Sequence, residues 1–143
     1  MYVLIAETDL ELLADIRLAL EESGHAVTVT TDGMSAWSHL VGRRRPDLLI
    51  TRLHLGSGTP PGTALGLRAQ ASNPPIPVIY IRAKTERAEY VDRSHGAVLI
   101  KPFSVADLVI VSASLIRQDR APPCRADQLE QEAQRAEASG GGR

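Results

Sequence analysis

The sequence predicts a doubly wound α/β domain, in which one parallel sheet is covered by helices on both faces. Five apolar runs of about five residues alternate with longer segments of helical periodicity, which indicates repeated strand-helix units. The runs are apolar throughout rather than alternating, and this suits strands that are buried on both faces. A length of 143 residues, 43% of them hydrophobic and 23% charged, fits one globular domain.

The five predicted strands are short, and turn residues bound each of them. They are expected at residues 3–6, 26–29, 48–51, 78–81 and 97–100. The first predicted helix follows the first strand and carries an apolar stripe that would face the sheet. The stripe consists of Leu10, Leu13, Ile16 and Leu20. Thr8 and Glu11 have the spacing of a capping box at its start, and Gly24 ends it.

Four further helices are expected at residues 35–42, 63–72, 85–93 and 104–118. The third is short and weakened by Gly66, and the fourth has few apolar positions. The arginines at 43–45 are expected to serve the negative end of the second helix and solubility, with a binding patch as the alternative. The last helix has more apolar residues than one stripe needs. Either it packs hard on the sheet, or its second apolar flank contacts another protein.

Composition excludes several classes of protein. Sixteen basic and seventeen acidic residues give a formal net charge of −1, which provides no broad electrostatic footprint for nucleic acid. Cys124 is the only cysteine, so no intrachain disulfide can form and a reducing compartment fits best. No basic leader begins the chain, and no window approaches the roughly 18 apolar residues of a membrane span. We expect a cytoplasmic protein with no nucleic-acid or membrane partner.

Domain organisation follows from the change in composition near residue 118. Residues 1–118 form the predicted domain, and residues 119–143 are expected to be a polar tail that is partly disordered or helical. His25, His39, His54 and His95 lack metal-ligand spacing, and we therefore expect no metal and no cofactor.

Polar side chains follow four of the predicted strands. Ligands of open parallel sheets bind beyond the carboxyl ends of the strands, so these residues form the candidate site. They are Glu7, Thr8 and Asp9 after the first strand, Arg52 after the third, Arg82 after the fourth, and Lys101, Pro102 and Phe103 after the fifth.

Residues 1–118 resemble the receiver domain of bacterial response regulators, the signalling module of two-component systems and phosphorelays. The resemblance rests on four segments: Val3-Leu4-Ile5-Ala6-Glu7-Thr8-Asp9, residues 46–55, residues 77–83, and residues 96–103 ending in Lys101-Pro102-Phe103. It implies a flavodoxin-like (βα)5 fold, a three-layer sandwich around a five-stranded parallel sheet. It also implies a cis peptide bond between Lys101 and Pro102.

The same resemblance implies a phosphorylation pocket that this sequence does not keep. In the family an acidic pair holds Mg²⁺, an aspartate accepts the phosphoryl group, a threonine or serine reports it, and an aromatic residue switches. Glu7 and Thr8 stand at the acidic pair, Arg52 at the acceptor, Arg82 at the hydroxyl residue and Val98 at the aromatic residue. Lys101 alone is unchanged. We therefore expect a non-enzymatic pseudo-receiver without catalytic residues, whose pocket carries a charge of +2 from Glu7, Arg52, Arg82 and Lys101.

Partner expectations also follow from the resemblance. Receivers commonly use a face built from the fourth helix, the fifth strand and the fifth helix, and here we expect a protein partner or a homodimer on it. The residues of that predicted face are Val98, Ile100, Phe103, Leu108, Val109 and Ile116. As an alternative function, Arg52, Arg82 and Lys101 would bind a regulatory anion such as a phosphate or a nucleotide. Against that alternative, Glu7 would neutralise the cluster by pairing with Arg52 or Lys101.

Overall fold

A computed structural model describes residues 1–86 and 96–120 of the chain. Within these ranges five strands alternate with four helices. In chain order they are β1 (Tyr2–Ala6), α1 (Leu10–Glu22), β2 (Ala26–Thr30), α2 (Gly33–Leu40), β3 (Leu48–Arg52), α3 (Gly62–Gln70), β4 (Val78–Arg82), β5 (Gly96–Ile100) and α4 (Val105–Arg120). The predicted helix at 85–93 lies outside the described residues apart from Thr85 and Glu86, as does the tail from 121 onward.

The strands form one parallel sheet in the order β2-β1-β3-β4-β5. Successive side chains of a strand point to opposite faces, so the apolar runs supply both faces at once. Leu4, Leu49 and Tyr80 pack under α2 and α3, whereas Ile5 and Ile50 pack under α1 and α4. The prediction of a doubly wound, five-stranded parallel sheet is confirmed.

Helix α1 differs from its sequence pattern in two respects. Asp9, not Thr8, is the N-cap, and its Oδ1 accepts hydrogen bonds from the backbone N–H groups of Glu11 and Leu12 at 3.2 and 3.3 Å. The predicted capping box is therefore wrong, because the short carboxylate next to the first helical residue serves both donors. Leu10 is also 67% exposed, while the other three residues of the predicted stripe are buried. These three are Leu13, Ile16 and Leu20.

Gly66, which weakens α3 as an isolated helix, is required by the packing of that helix. A Cβ at this position would lie 1.8 Å from the phenolic oxygen of Tyr80, a buried residue of β4. The glycine therefore lets α3 approach the sheet closely enough to cover Tyr80.

The arginines after α2 make contacts within the chain. Arg44 lies over the ring of Tyr2 with its guanidinium carbon 4.0 Å from the ring centroid, a cation-π geometry. Arg45 donates a hydrogen bond to the carbonyl oxygen of Pro74. Two of the three arginines thus connect the segment after α2 with β1 and with the loop after α3.

Helix α4 shows which of its apolar flanks faces the sheet. Leu108 and Ile116 are buried in the core shared with α1, and they are eight residues apart, which places them on one side of the helix. Their assignment to a contact face is wrong because the sheet covers them. Ile110 lies on the opposite side and is 65% exposed. No helix in the described part of the chain is long and apolar enough to cross a membrane.

The other members of the predicted contact face divide in a similar way. Val98 is partly buried and packs toward α2 and α3 on the opposite face of the sheet. Phe103 and Val109 are partly buried and pack against the α1 and α4 core. Ile100 is 45% exposed at the end of the edge strand β5. Among the described residues of this region, Ile100 and Ile110 are therefore the large apolar side chains exposed to solvent.

Candidate functional site

The candidate site lies where β1, β3, β4 and β5 reach their carboxyl ends. Glu7 directly follows β1, Arg52 and Arg82 are the last residues of β3 and β4, and Lys101 directly follows β5. Because the strands are parallel and in register, these residues all reach the same edge of the sheet. The structure brings Glu7, Thr8, Arg52 and Lys101 into contact.

Glu7 is the centre of the site and is fully buried. Its Oε1 accepts hydrogen bonds from the backbone N–H groups of Thr8 at 3.0 Å and Asp9 at 3.1 Å. The same oxygen lies 3.5 Å from Nζ of Lys101 and 3.8 Å from Nη1 of Arg52. A buried carboxylate is costly unless it is paired and hydrogen-bonded, and here two donors and two cations stabilise one oxygen.

Arg52 bridges β1 and the segment after β4. Its Nη1 donates to the hydroxyl oxygen of Thr8 at 2.7 Å, and its Nη2 donates to Oε1 of Glu86 at 3.0 Å. The side chain is 30% exposed, and its Nε is buried without a hydrogen-bond partner. The planar fork of a guanidinium can serve two such acceptors at once, which an ammonium group does less well.

Glu86 belongs to the site although it is not among the site residues predicted from the sequence. Its side chain is 14% exposed, and its backbone N–H donates to the carbonyl of Ala83 in the turn that follows β4. Its position in the loop after β4 could have indicated this role, since that loop begins at the same edge of the sheet as Arg52. The four charged side chains in contact are Glu7, Glu86, Arg52 and Lys101, and their formal charges sum to zero rather than to the predicted +2.

Arg82 does not join this cluster among the described residues. Its backbone carbonyl accepts a hydrogen bond from the N–H of Lys101 at 2.8 Å, whereas its side-chain Nε is buried without a hydrogen-bond partner. Arg52 and Lys101 already face carboxylates. Two of the three cations of the predicted anion pocket are therefore paired with carboxylates of the chain itself.

A shallow cleft lies beside Lys101. It has a volume of about 440 Å³ and is lined by Asp9, Leu12, Lys101, Pro102 and Phe103. The Lys101-Pro102 peptide bond at its edge is cis. Within residues 1–86 and 96–120, no group of three or more histidine, cysteine, aspartate or glutamate side chains has the arrangement of a metal site.

The Mg²⁺ that the family resemblance implies does not fit the residues present. Mg²⁺ needs oxygen ligands in octahedral geometry. The Oε1 of Glu7 already has four partners, two of them cationic, and the hydroxyl of Thr8 already accepts from Arg52. The other oxygen, Oε2, is buried without a hydrogen-bond partner, but a divalent cation there would share one carboxylate with both positive side chains.

Comparison with known proteins supports the class that the fold and site suggest. The chain is similar to the transcriptional regulatory protein PrrA of Mycobacterium leprae, with 26% identity over 117 residues, 81% of this chain and 50% of PrrA. It is similar in structure to the N-terminal domain of a response regulator/sensory box/GGDEF 3-domain protein from Carboxydothermus hydrogenoformans, at 27% identity and a TM-score of 0.71, covering 85% of this chain and 98% of that one. A response regulator receiver protein from Sinorhizobium medicae WSM419 gives a TM-score of 0.72 at 24% identity, covering 82% and 94%. No protein-family model matches the chain.

The sheet order and the clustering of polar residues at one edge define a doubly wound, flavodoxin-like α/β domain. Together with the sequence similarity to response regulators, they support a response-regulator receiver domain of the kind found in two-component signalling. The resemblance seen in the sequence is thereby confirmed. The chain spans about half the length of the curated relatives it matches.

Proposed function

We propose that this receiver domain acts in signal transduction by protein contact, independently of aspartyl phosphorylation and of Mg²⁺. The observation that carries the proposal is Arg52, which ends β3 and places a guanidinium at the site. A guanidinium stays protonated in proteins and has no lone pair with which to attack a phosphorus atom. Both of its Nη atoms are moreover engaged by Thr8 and Glu86.

The charge arrangement supports the Mg²⁺-independent part of the proposal. Two unit charges about 4 Å apart interact by roughly 4 kcal/mol at an effective dielectric constant near 20. Arg52 and Lys101 both lie within that distance of Oε1 of Glu7, which leaves only Oε2 without a partner. Their repulsion of a divalent ion therefore outweighs what one carboxylate without a second acidic ligand supplies.

The same contacts support one fixed conformation of the site. Arg52 connects Thr8 and Glu7 at the end of β1 with Glu86 beyond β4. An ion pair that is always present needs no modification to form. We accordingly propose a domain without enzymatic activity, which presents a constant surface to its partner.

Incubation with Mg²⁺ and acetyl phosphate is expected to leave the purified chain without a phosphoryl adduct, as measured by intact mass spectrometry. A receiver with an intact acidic pair and acceptor aspartate serves as the positive control. Arg52→Asp is also expected to remain unlabelled, because Thr8 still provides no carboxylate and Lys101 still pairs with Glu7. A phosphoryl mass on the wild-type chain would refute the proposal, and Mg²⁺-dependent labelling of Arg52→Asp would refute its metal argument.

The partner surface is expected to include Ile110, the most exposed large apolar residue of α4. Ile110→Glu is expected to abolish capture of the partner from native extract, since it puts a charge into an apolar contact. The melting temperature of the Ile110→Glu variant should stay close to that of the wild type, because the side chain of Ile110 is 65% exposed. Leu67→Glu, at a 56% exposed leucine of α3, is the matched control and should keep the partner bound.

Equal capture by the wild type and Ile110→Glu would contradict the assignment of this surface. The same variant tests whether the captured protein is a second copy of the chain. In that case Ile110→Glu would also lower the molar mass measured by light scattering.

A further inference from the structure

The charged residues of the chain are divided between the two faces of the sheet. Residues 9–23, which contain α1, carry five acidic side chains and one basic side chain. Residues 33–46 and 62–75, which contain α2 and α3, carry four arginines and no acid. Helix α1 packs on one face of the sheet with α4, which adds two acids and two bases, whereas α2 and α3 pack on the other. The small net charge of the chain therefore combines an acidic face with a basic face.

The side of α1 that points away from the sheet is an acidic ridge with one leucine in it. The ridge consists of Glu11, Asp15, Leu18 and Glu22. Spacings of four, three and four residues place these side chains on one line about 16 Å long. All four are exposed, Leu18 to 59%. The line lies opposite the buried side of the helix, which is formed by Leu13, Ile16 and Leu20.

An apolar groove adjoins the ridge at Leu18. It has a volume of about 300 Å³ and extends from α1 to Val29 of the edge strand β2. Arg17 at its rim is already paired with Glu21, with Nε 2.7 Å from Oε1. The ridge therefore keeps its negative charge and has apolar surface beside it.

The opposite face of the domain carries a basic corner at the amino edge of the sheet. The corner consists of Val41, Arg43, Arg44 and Arg45 after α2, and of Arg68 in the last turn of α3. Arg44 and Arg45 are held there by their contacts with β1 and with the loop after α3. The three consecutive arginines are exposed, and Val41 beside them is 50% exposed. Asp47, the next acid along the chain, accepts a hydrogen bond from the backbone N–H of Tyr2 at 2.7 Å.

We propose that the acidic ridge of one copy of the chain binds the basic corner of a second copy. Each patch has an exposed aliphatic side chain among charged groups, and the charges of the two patches are opposite. Apolar surface therefore meets apolar surface, and acid meets base. A formal net charge of −1 adds almost no overall repulsion between copies. The proposal does not depend on the phosphorylation-independent function, and Ile110 belongs to neither patch.

Association through these two patches is head-to-tail. The ridge and the corner lie on opposite faces of the sheet, so two copies cannot exchange both contacts at once. A copy that has made one contact keeps either its ridge or its corner free, and further copies can add to it. We expect an open series of oligomers rather than a closed dimer.

Sedimentation equilibrium of the full chain over a range of protein concentrations tests this association. The weight-average molar mass is expected to pass that of a dimer as the concentration rises. The association constant is expected to fall roughly tenfold or more between low and high NaCl concentration, because salt screens exposed charges. A chain that stays monomeric at every concentration, a mass that stops at the dimer, or an association that salt leaves unchanged would overturn the proposal.

Two variants that each lack one patch test the head-to-tail arrangement. Asp15→Asn combined with Leu18→Ala removes a charge and an apolar contact from the ridge. Val41→Ala combined with Arg43→Gln does the same at the corner. Each variant alone is expected to associate about tenfold more weakly than the wild type. An equimolar mixture is expected to form a heterodimer with wild-type affinity that grows no further, because only one intact ridge meets one intact corner.

Lys84→Gln is the matched control for the corner variant. It also removes one positive charge from an exposed side chain, but Lys84 follows β4 at the carboxyl edge of the sheet, away from the corner. The association constant of this control should equal that of the wild type. Circular dichroism should show the wild-type fold in all variants, since every substituted side chain is exposed. A mixture without heterodimer, or equal weakening by Lys84→Gln, would contradict the pairing of ridge and corner.

Discussion

Arg52→Met is expected to lower the free energy of unfolding by about 2 kcal/mol. Removal of one partner from a buried ion pair ordinarily costs roughly 3 to 5 kcal/mol, because the remaining charge is left uncompensated. Here the loss is smaller, since Arg52 is 30% exposed and Lys101 remains 3.5 Å from the Glu7 carboxylate. Methionine keeps an unbranched apolar stem, so the change isolates the guanidinium. Urea denaturation followed by circular dichroism, at a concentration where the chain is monomeric, measures the difference.

Arg17→Met is the matched control for that experiment. Arg17 also has an ion pair with a glutamate, but the pair with Glu21 is exposed and lies within one helix. Such pairs contribute about 0.3 to 0.5 kcal/mol, so the control should change little. Equal losses in the two variants would mean that burial of Glu7 does not set the energetics of the site.

A double-mutant cycle with Glu86→Gln separates the contact that Arg52 makes with Glu86 from the contact that it makes at the end of β1. If the contact at 3.0 Å joins Arg52 to the segment after β4, Glu86→Gln should cost less in the Arg52→Met background than in the wild type. Additive losses would show that Glu86 acts independently of Arg52. The cycle thus tests the bridge itself rather than the stability of either residue.

The fold was predictable because its strands are continuous apolar runs, a pattern that few other architectures share. The site was predictable where residues sit at strand ends, since the topology of a parallel sheet then decides what they meet. Glu7, Arg52 and Lys101 are of this kind. Glu86 is not, because it lies four residues beyond β4 and the path of a loop leaves no periodic trace in the sequence.

The two helices that were misread show a second limit. Periodicity tells which residues share a side of a helix, but it does not tell which side a neighbouring element covers. In α4 both Leu108 and Ile110 are apolar, and only the packing against α1 and the sheet decides that Leu108 is buried. In α1, Leu10 lies at the edge of the apolar stripe in the first turn, where no element of the described structure covers it. Both misreadings therefore concern which side of a helix its neighbours cover.

The backbone under the site is expected to be as sensitive as its charges, and Gly62→Ala tests this. A Cβ at Gly62 would lie 1.9 Å from the carbonyl oxygen of Arg52 and 2.8 Å from the carbonyl carbon of the same residue. The clash is with main chain, so a change of rotamer cannot relieve it, and α3 must move away from the end of β3. We expect a loss of about 3 kcal/mol in the free energy of unfolding, at the upper end for overpacking.

Gly42→Ala is the matched control for Gly62→Ala, because its added Cβ would come no nearer than 3.1 Å to the carbonyl oxygen of Ser38. It should cost well under half as much in the same urea titration. Since Gly62→Ala displaces the main chain of Arg52, it should also disturb the contacts of Arg52 with Thr8 and Glu86. The double variant should then lose less unfolding free energy than the sum of the losses measured for Gly62→Ala and Arg52→Met separately. Full additivity would mean that α3 packs on β3 without setting the position of the arginine.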